Sequence, residues 1–305
     1  MSDWAEKARA LKNEIEAARA FMDAERRCPD ALAEMFAAAG FFRLCVPKIY
    51  GGAQAPPHAV AATLEALAEI DASAAWCAMI GATTSAVAAY LEPDAAREIF
   101  GAPGAIVTGV YAPMGKASAE GDHYRVNGQW KWNSAGQNSR WLLGGCMIVE
   151  DGKPKLNVDG SPMQRMILAP REAVTFVDTW RTSGLRGTGS GDMTMRDVLV
   201  PKARSVSLVD DRPRVKAPLY AFPVFGLLAM GIAAVASGNA KAARWRNSRR
   251  LRRASACPTD EPWPSAARRK PCSRRRKPTT PAPAPSSWRR STPPGARRKA
   301  RRQSR

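Results

Sequence analysis

Apolar positions in the first hundred residues recur at helical spacing, whereas those after residue 105 alternate. Trp4, Ala8, Leu11, Ile15, Ala18 and Met22 follow one another at steps of three and four, which predicts one face of a single amphipathic helix. Asp3 and Glu6 have the spacing of a capping box in front of it. A second helix is predicted from Pro29-Asp30 through Leu32, Met35 and Phe36, stopping at Gly40. "FFRLCVPKIYGG" reads as an extended connector closing in a turn. A third helix opens after Pro56-Pro57 and carries Val60, Leu64 and Leu67 on one side. The stretch "SAAWCAMIGATTSAVAAYL" is apolar nearly all round, as a helix buried on several sides would be. Pro93 begins a short helix ending near Gly101.

From Ala105 the period is two. "AIVTGVYAP", "HYRVNGQWKWNSAG", "WLLGGCMIVE", "RMILAP", "AVTFVDTW" and "DMTMRDVLVP" are strand-like runs separated by Gly, Pro, Asn and Asp. Alternation puts Trp130 and Trp132 on one face and Lys131 on the other. About a hundred residues of antiparallel strands predict a compact barrel or sandwich. After Pro218 the pattern turns helical again in "LYAFPVFGLLAMGIAAVASGNA". Leu219 to Ala236 carries no charge and reaches the lower length limit of a membrane span. Pro223, Gly226, Gly231 and many alanines favour a helix inside a bundle instead. The expected class is α+β. It comprises an N-terminal α-helical domain (1–103), a middle antiparallel β-barrel domain (104–213), and the first helix of a C-terminal helical bundle (214–240) truncated there.

Charge redraws the end of the chain. The formal net charge is +20, but residues 241–305 hold 22 Lys and Arg against two acids, Asp260 and Glu261. The first 240 residues then carry 25 basic and 25 acidic side chains and are neutral. The tail has no Ile, Val, Phe, Met or Tyr and ten of the 24 prolines, so it cannot bury enough apolar surface to offset its chain entropy. It is expected to be a disordered basic segment. In the body, Cys28, Cys45, Cys77 and Cys146 show no metal-binding or redox spacing, and no stretch resembles a signal peptide. A reduced, cytoplasmic protein without a metal centre is expected. His58 and His123 are isolated and read as surface or loop residues.

Two segments carry candidate chemistry. "GVYAPMGKASAEGDHYRVNGQWKWNSAG" (Gly109–Gly136) joins a Pro-x-Gly turn, a Tyr-x-Val-x-Gly strand and a Trp-x-Trp-x-Ser run. "TWRTSGLRGTGSGDMTMRDVLVP" (Thr179–Pro201) holds Gly-Leu-Arg-Gly-Thr-Gly-Ser ahead of a closing strand. Taken singly, the tryptophans could be core aromatics and Arg186 a surface charge. Gly187-Thr188-Gly189-Ser190 could be a turn, since it lacks the Gly-Lys-Ser/Thr ending of a phosphate loop. Together and in this order, with "FRLCVPKIYGGAQAPP" and "EIDASAAWCAMIG" ahead of them, they resemble the acyl-CoA dehydrogenase superfamily over about 1–240. Trp-x-Trp-x-Ser and Gly-Thr-Gly-Ser lean toward its flavin-dependent hydroxylase branch. The Thr-Glu-Pro usual in the dehydrogenases is here Tyr111-Ala112-Pro113, without the Glu.

The resemblance implies a flavin, FAD or FMN, whose flat ring needs an aromatic or apolar wall and hydrogen-bond partners around N5 and O4. Carried over, it nominates Trp132 for the wall and Ser134 for the N5/O4 edge. It also nominates Tyr111 and Gly115 as flavin neighbours, the glycine freeing room for the ring, and Arg186 as a substrate contact. It implies either dehydrogenation of an acyl-CoA or flavin-hydroperoxide hydroxylation of a small organic substrate. A flavin reductase or an electron-transfer flavoprotein would be partner, in a homotetramer. The family's acid or base comes from the C-terminal bundle, so no catalytic residue is named here; Asp260 and Glu261 stand in no helical context. The tail has three readings: a polyanion-binding arm with runs such as Arg274-Arg275-Arg276-Lys277, a juxtamembrane basic segment, or translation in a shifted reading frame. The abrupt change in mid-helix favours the third, which implies impaired activity and assembly; the first two make the alternative function polyanion or membrane association through the tail. No specific nucleic-acid target is expected.

Overall fold

The structure, a computed structural model, describes residues 3–255. The N-terminal stripe forms two helices rather than one, α1 (Asp3–Ala10) and α2 (Lys12–Glu25), because the backbone turns out of helical geometry at Leu11. The stripe itself survives the break: Ala8, Ile15 and Met22 are all buried. Next comes α3 (Asp30–Ala38), and Gly40 at φ 81° then reverses the chain. The connector expected to be extended is instead two tight helical turns, Phe41–Arg43 and Lys48–Tyr50. The reason is Arg43, whose buried guanidinium donates to the carbonyls of Tyr50 (2.5 Å), Phe100 (2.7 Å) and Ala102 (2.9 Å) and winds the chain around itself.

Helix α4 (Pro57–Ile70) presents Val60, Leu64 and Leu67 to the core. Helix α5 (Ala72–Thr84) is buried on several sides, as its composition predicts, and Gly81 lets Phe42 lie against its backbone. Asp71 caps α5 by accepting from the amides of Ser73 (2.9 Å) and Ala74 (3.1 Å), and Arg19 lies 3.4 Å from the same carboxylate. Asp71→Ala should therefore cost about 1 kcal/mol, read as a lower urea midpoint, while Asp71→Asn keeps most of the cap. Equal losses for the two variants would remove the capping argument. Helix α6 (Pro93–Phe100) completes this half.

The sheet contains β1 (Val107–Glu120), β2 (His123–Trp130), β3 (Trp141–Glu150), β4 (Lys153–Pro154), β5 (Gln164–Pro170), β6 (Thr175–Val177), β7 (Asp192–Pro201) and β8 (Ser205–Val206). Its order is β6-β7-β2-β1-β3-β5-β8, with β4 on β3. Two expectations change. The sheet path is open rather than closed into a barrel, and it is mixed, because β1 and β3 pair in parallel from Val107↔Trp141 to Ser118↔Val149. The cause is topological. β2 folds back antiparallel on one edge of β1, so the chain must cross through residues 131–140 to reach the other edge, and there it runs parallel to β1. The expected Pro113–Gly115 turn is a bulge inside β1, where the pairing register shifts between Val110 and Gly115.

Trp130 organises the β core. Its indole is fully buried and donates from Nε1 to the carbonyl of Gly145 at 2.7 Å. Gly115, Gly128 and Gly144, on three adjacent strands, make the space: a Cβ on any of them would lie within 2.8 Å of an indole carbon. A further core of Val107, Leu143 and Leu168 with Val87, Leu91 and Phe100 joins sheet to helices.

After α7 (Pro218–Ala221), helix α8 runs from Val224 to Ser255. The expected end near residue 240 is not observed, and the expected disorder of the tail does not hold for 241–255. Pro is absent until Pro258, and the Ala- and Arg-rich text from Lys241 has helix propensity, with Ala242 buried and Lys241 paired to α4 at its start. Residues 256–305 of the expected disordered tail, with its acids and arginine runs, lie outside the described residues. Gly231 and Gly238 let α8 approach α5 and α4, and Glu65 of α4 accepts from Ser237 (2.6 Å) and pairs with Lys241 (2.8 Å). Among the described residues, two segments are long and apolar enough to cross a membrane, Ala72–Ala89 and Val224–Trp245. The first is 78% buried in the protein core; the second, 28% buried, packs by one face on the α4–α5 pair.

Candidate functional site

The two motif segments meet. The loop after β2 and the loop before β7 run side by side, joined by Asn133 N–H to the Gly191 carbonyl (2.9 Å) and Ala135 N–H to the Thr188 carbonyl (2.8 Å). Left-handed backbone at Trp132 (φ 62°), Ala135 (φ 56°) and Leu185 (φ 52°), strain that is met mostly at functional positions, bends both loops, and Gly189 (φ 58°) takes the same conformation without strain. The second loop is moored to the end of α2. Arg26 holds Asp178 through two bonds of 2.7 and 2.8 Å and donates to the Trp180 carbonyl, while Arg186 donates to the Asp23 carbonyl at 2.9 and 2.6 Å.

Between the loops lies a line of hydroxyls. The Trp76 indole of α5 donates to Ser134 Oγ at 3.0 Å; Ser134 Oγ is 2.7 Å from Ser190 Oγ, and that atom is 2.6 Å from Thr188 Oγ1. Thr188 Oγ1 then donates to the Leu185 carbonyl at 2.8 Å. Next to Ser134, Asn133 is 2% exposed and neither polar atom of its carboxamide has a hydrogen-bond partner among the described residues. Gly136 makes that burial possible, since a Cβ there would sit 2.0 Å from Asn133 Nδ2.

The nominated residues separate under this geometry. Trp132 does not share a face with Trp130: β2 ends at Trp130, and Trp132 turns out at positive φ with 64% of its surface exposed. Ser134, two residues on, is buried. Tyr111 is apart from both. Its hydroxyl lies 3.5 Å from the Thr83 carbonyl, and burial pushes its pKa up. Thr83 and Trp76 are seven residues apart on α5, so Tyr111 and Ser134 meet the same helix face roughly 10 Å apart. Gly115 answers to Trp130, 2.2 Å from where its Cβ would be, rather than to a space open to a ligand. Arg186 spends its donors on the Asp23 and Thr182 carbonyls, the work of a structural clamp. Trp76, Thr188, Ser190 and Asn133 were not nominated. Ser190 and Thr188 stood in the quoted Gly-Thr-Gly-Ser run, but nothing in the helical pattern of α5 distinguishes Trp76 from a core aromatic. His58 and His123 are exposed and lie on separate elements.

Comparison with known proteins gives a consistent picture. Residues 4–97 match the model of the acyl-CoA dehydrogenase N-terminal domain. The chain is 34% identical over 184 residues to the oxygenase subunit HsaA of a flavin-dependent monooxygenase from Mycobacterium tuberculosis, covering 60% of this chain and 45% of that one. Among solved structures, 3-HSA hydroxylase from Rhodococcus sp. RHA1 superposes with a TM-score of 0.76 at 26% identity, over 84% of this chain and 67% of that one. XiaF from Streptomyces sp., solved with FADH2 and glycerol, gives 0.71 at 25% identity over 86% and 65%. The chain thus spans about half the length of the curated relatives it matches. With the helical half matched as a domain and the two motif loops joined, the chain is similar in sequence and fold to flavin-dependent monooxygenases, and its N-terminal part to the acyl-CoA dehydrogenase N-terminal domain.

Proposed function

We propose that this chain is the oxygenase component of a two-component flavin-dependent monooxygenase acting on a small organic substrate, with a separate reductase supplying reduced flavin. The observation that carries the reading is the junction of the two motif loops. It sets an exposed indole, Trp132, beside a buried hydroxyl, Ser134, and an amide, Asn133, whose polar atoms lack partners. These groups fit a flat ring with a polar edge: the indole offers a face for stacking, and the neighbouring polar atoms offer hydrogen bonds at one side. Leaving a buried donor or acceptor unpaired costs about 1–3 kcal/mol, so the Asn133 amide favours a ligand that rearranges and satisfies it. A bound flavin would supply the oxygen-activating chemistry; Trp132 would wall it and Ser134 would meet its edge. FAD and FMN both satisfy this argument. The missing Glu in Tyr111-Ala112-Pro113 weighs against acyl-CoA dehydrogenation with an electron-transfer flavoprotein. The homotetramer usual in the family, and a reducing cytoplasmic setting in keeping with four buried free thiols, belong to the same proposal. Polyanion or membrane association through the basic tail draws no support from the relatives.

The test is anaerobic titration of the full chain with dithionite-reduced FAD and FMN, followed by calorimetry. Saturable binding of one of them is expected. Trp132→Ala should weaken it about tenfold, the scale of one aromatic stacking contact, without moving the urea midpoint. Absence of binding by either reduced flavin defeats the proposal.

A further inference from the structure

The line of hydroxyls beside Ser134 has a direction. Three oxygen–oxygen gaps, Ser134–Ser190, Ser190–Thr188 and Thr188–Leu185 carbonyl, measure 2.7, 2.6 and 2.8 Å. Each is a hydrogen-bond distance, and each needs a proton between the two oxygens. The three hydroxyls supply three protons and the carbonyl supplies none, so only one assignment fills every gap. Thr188 donates to the Leu185 carbonyl, Ser190 to Thr188, and Ser134 to Ser190. At the other end the Trp76 indole can only donate, and it does so into Ser134 at 3.0 Å. Ser134 has given away its proton and accepted one hydrogen bond, which leaves a single lone pair.

We infer that Trp76, Ser190 and Thr188 are positioning residues that turn Ser134 into an acceptor-only contact, so that the ligand edge beside it must bear a hydrogen. Resting on the flavin reading above, this makes Ser134 complementary to the N5–H of reduced flavin and repulsive to the bare N5 lone pair of oxidised flavin. The discrimination is then made by residues that need not touch the ring.

The experiment measures dissociation constants of oxidised and dithionite-reduced FAD for the full chain, anaerobically, in wild type, Ser190→Ala and Thr188→Val. Either substitution releases the Ser134 proton. Ser190→Ala removes its acceptor, and Thr188→Val leaves Ser190 free to donate back to Ser134. Thr188→Val is close to isosteric, and the Leu185 carbonyl keeps the Trp180 indole (3.1 Å) as donor. Both variants should bind oxidised FAD about tenfold more tightly and reduced FAD unchanged, lowering the ratio of the two constants about tenfold. Ser134→Ala should lower the same ratio through weaker binding of the reduced form. A purely structural role weakens both forms together, and an unchanged ratio in Ser190→Ala and Thr188→Val overturns the inference while leaving the proposed function intact. Failure of wild type to bind either form overturns both.

Discussion

Replacing Trp130 by Ala should destabilise the protein by about 3–5 kcal/mol, the cost of emptying a fully buried aromatic site. The reason is more specific than size. The indole fills a recess whose walls are the backbones of Gly115, Gly128 and Gly144, and these have no side chains with which to close the void. Its N–H also satisfies the Gly145 carbonyl at 2.7 Å, which the substitution leaves unpaired. The converse change, Gly115→Ala, puts a Cβ 2.2 Å from Trp130 Cζ2 and should cost on the order of 1–3 kcal/mol by overpacking. A double-mutant cycle separates the two effects. In the Trp130→Ala background the added methyl is left only the Cys146 Sγ at 2.8 Å to displace, so the cost of Gly115→Ala should fall below its value in wild type without vanishing. Additive costs in urea denaturation would mean that the glycine serves something other than the indole.

The second large effect is expected at Arg43. Its side chain is 6% exposed, and among the described residues it pairs with no carboxylate; three carbonyl oxygens solvate it instead. Burial pulls its pKa down from the ordinary guanidinium value. Arg43→Met keeps the volume and strands the Tyr50 and Phe100 carbonyls, while the Ala102 carbonyl keeps the Ala105 N–H (3.0 Å), so a loss of about 2–3 kcal/mol is expected. Arg43→Lys should recover only part of it, because one ammonium cannot reach carbonyls spread across a guanidinium fork. If Met and Lys substitutions unfold at the wild-type urea midpoint, the two tight turns before α4 are held by packing alone.

How far the sequence announces this structure depends on the range of the interactions involved. The buried α5, the strands β3 and β7, and the stop at Gly40 follow from periodicity and from Gly and Pro placement, which act within a few residues. The turns around Arg43 and the parallel pairing of β1 with β3 depend on partners tens of residues away, and no local pattern encodes them. The same division runs through the candidate site. Trp132 and Ser134 come from a motif with family precedent. Gly115 was legible as a place of close approach, but its partner was not, since the indole that crowds it arrives from the neighbouring strand. Arg186 looked like a free cation because a carbonyl at a helix end leaves no trace in charge counting. Trp76 stayed hidden because its single polar contact lies 58 residues further along the chain.

The moorings of the loop before β7 bear on the order in which the molecule folds. Arg26 and Asp178 are 152 residues apart in the chain, Arg186 and Asp23 163, and Ser134 and Ser190 56. Contacts of such separation are made only after the chain between them has condensed, because closing a long loop costs entropy before any contact compensates it. The N-terminal helices and the sheet must therefore dock before the hydroxyl line can assemble. The site is a late product of folding, completed only when both halves are already in place.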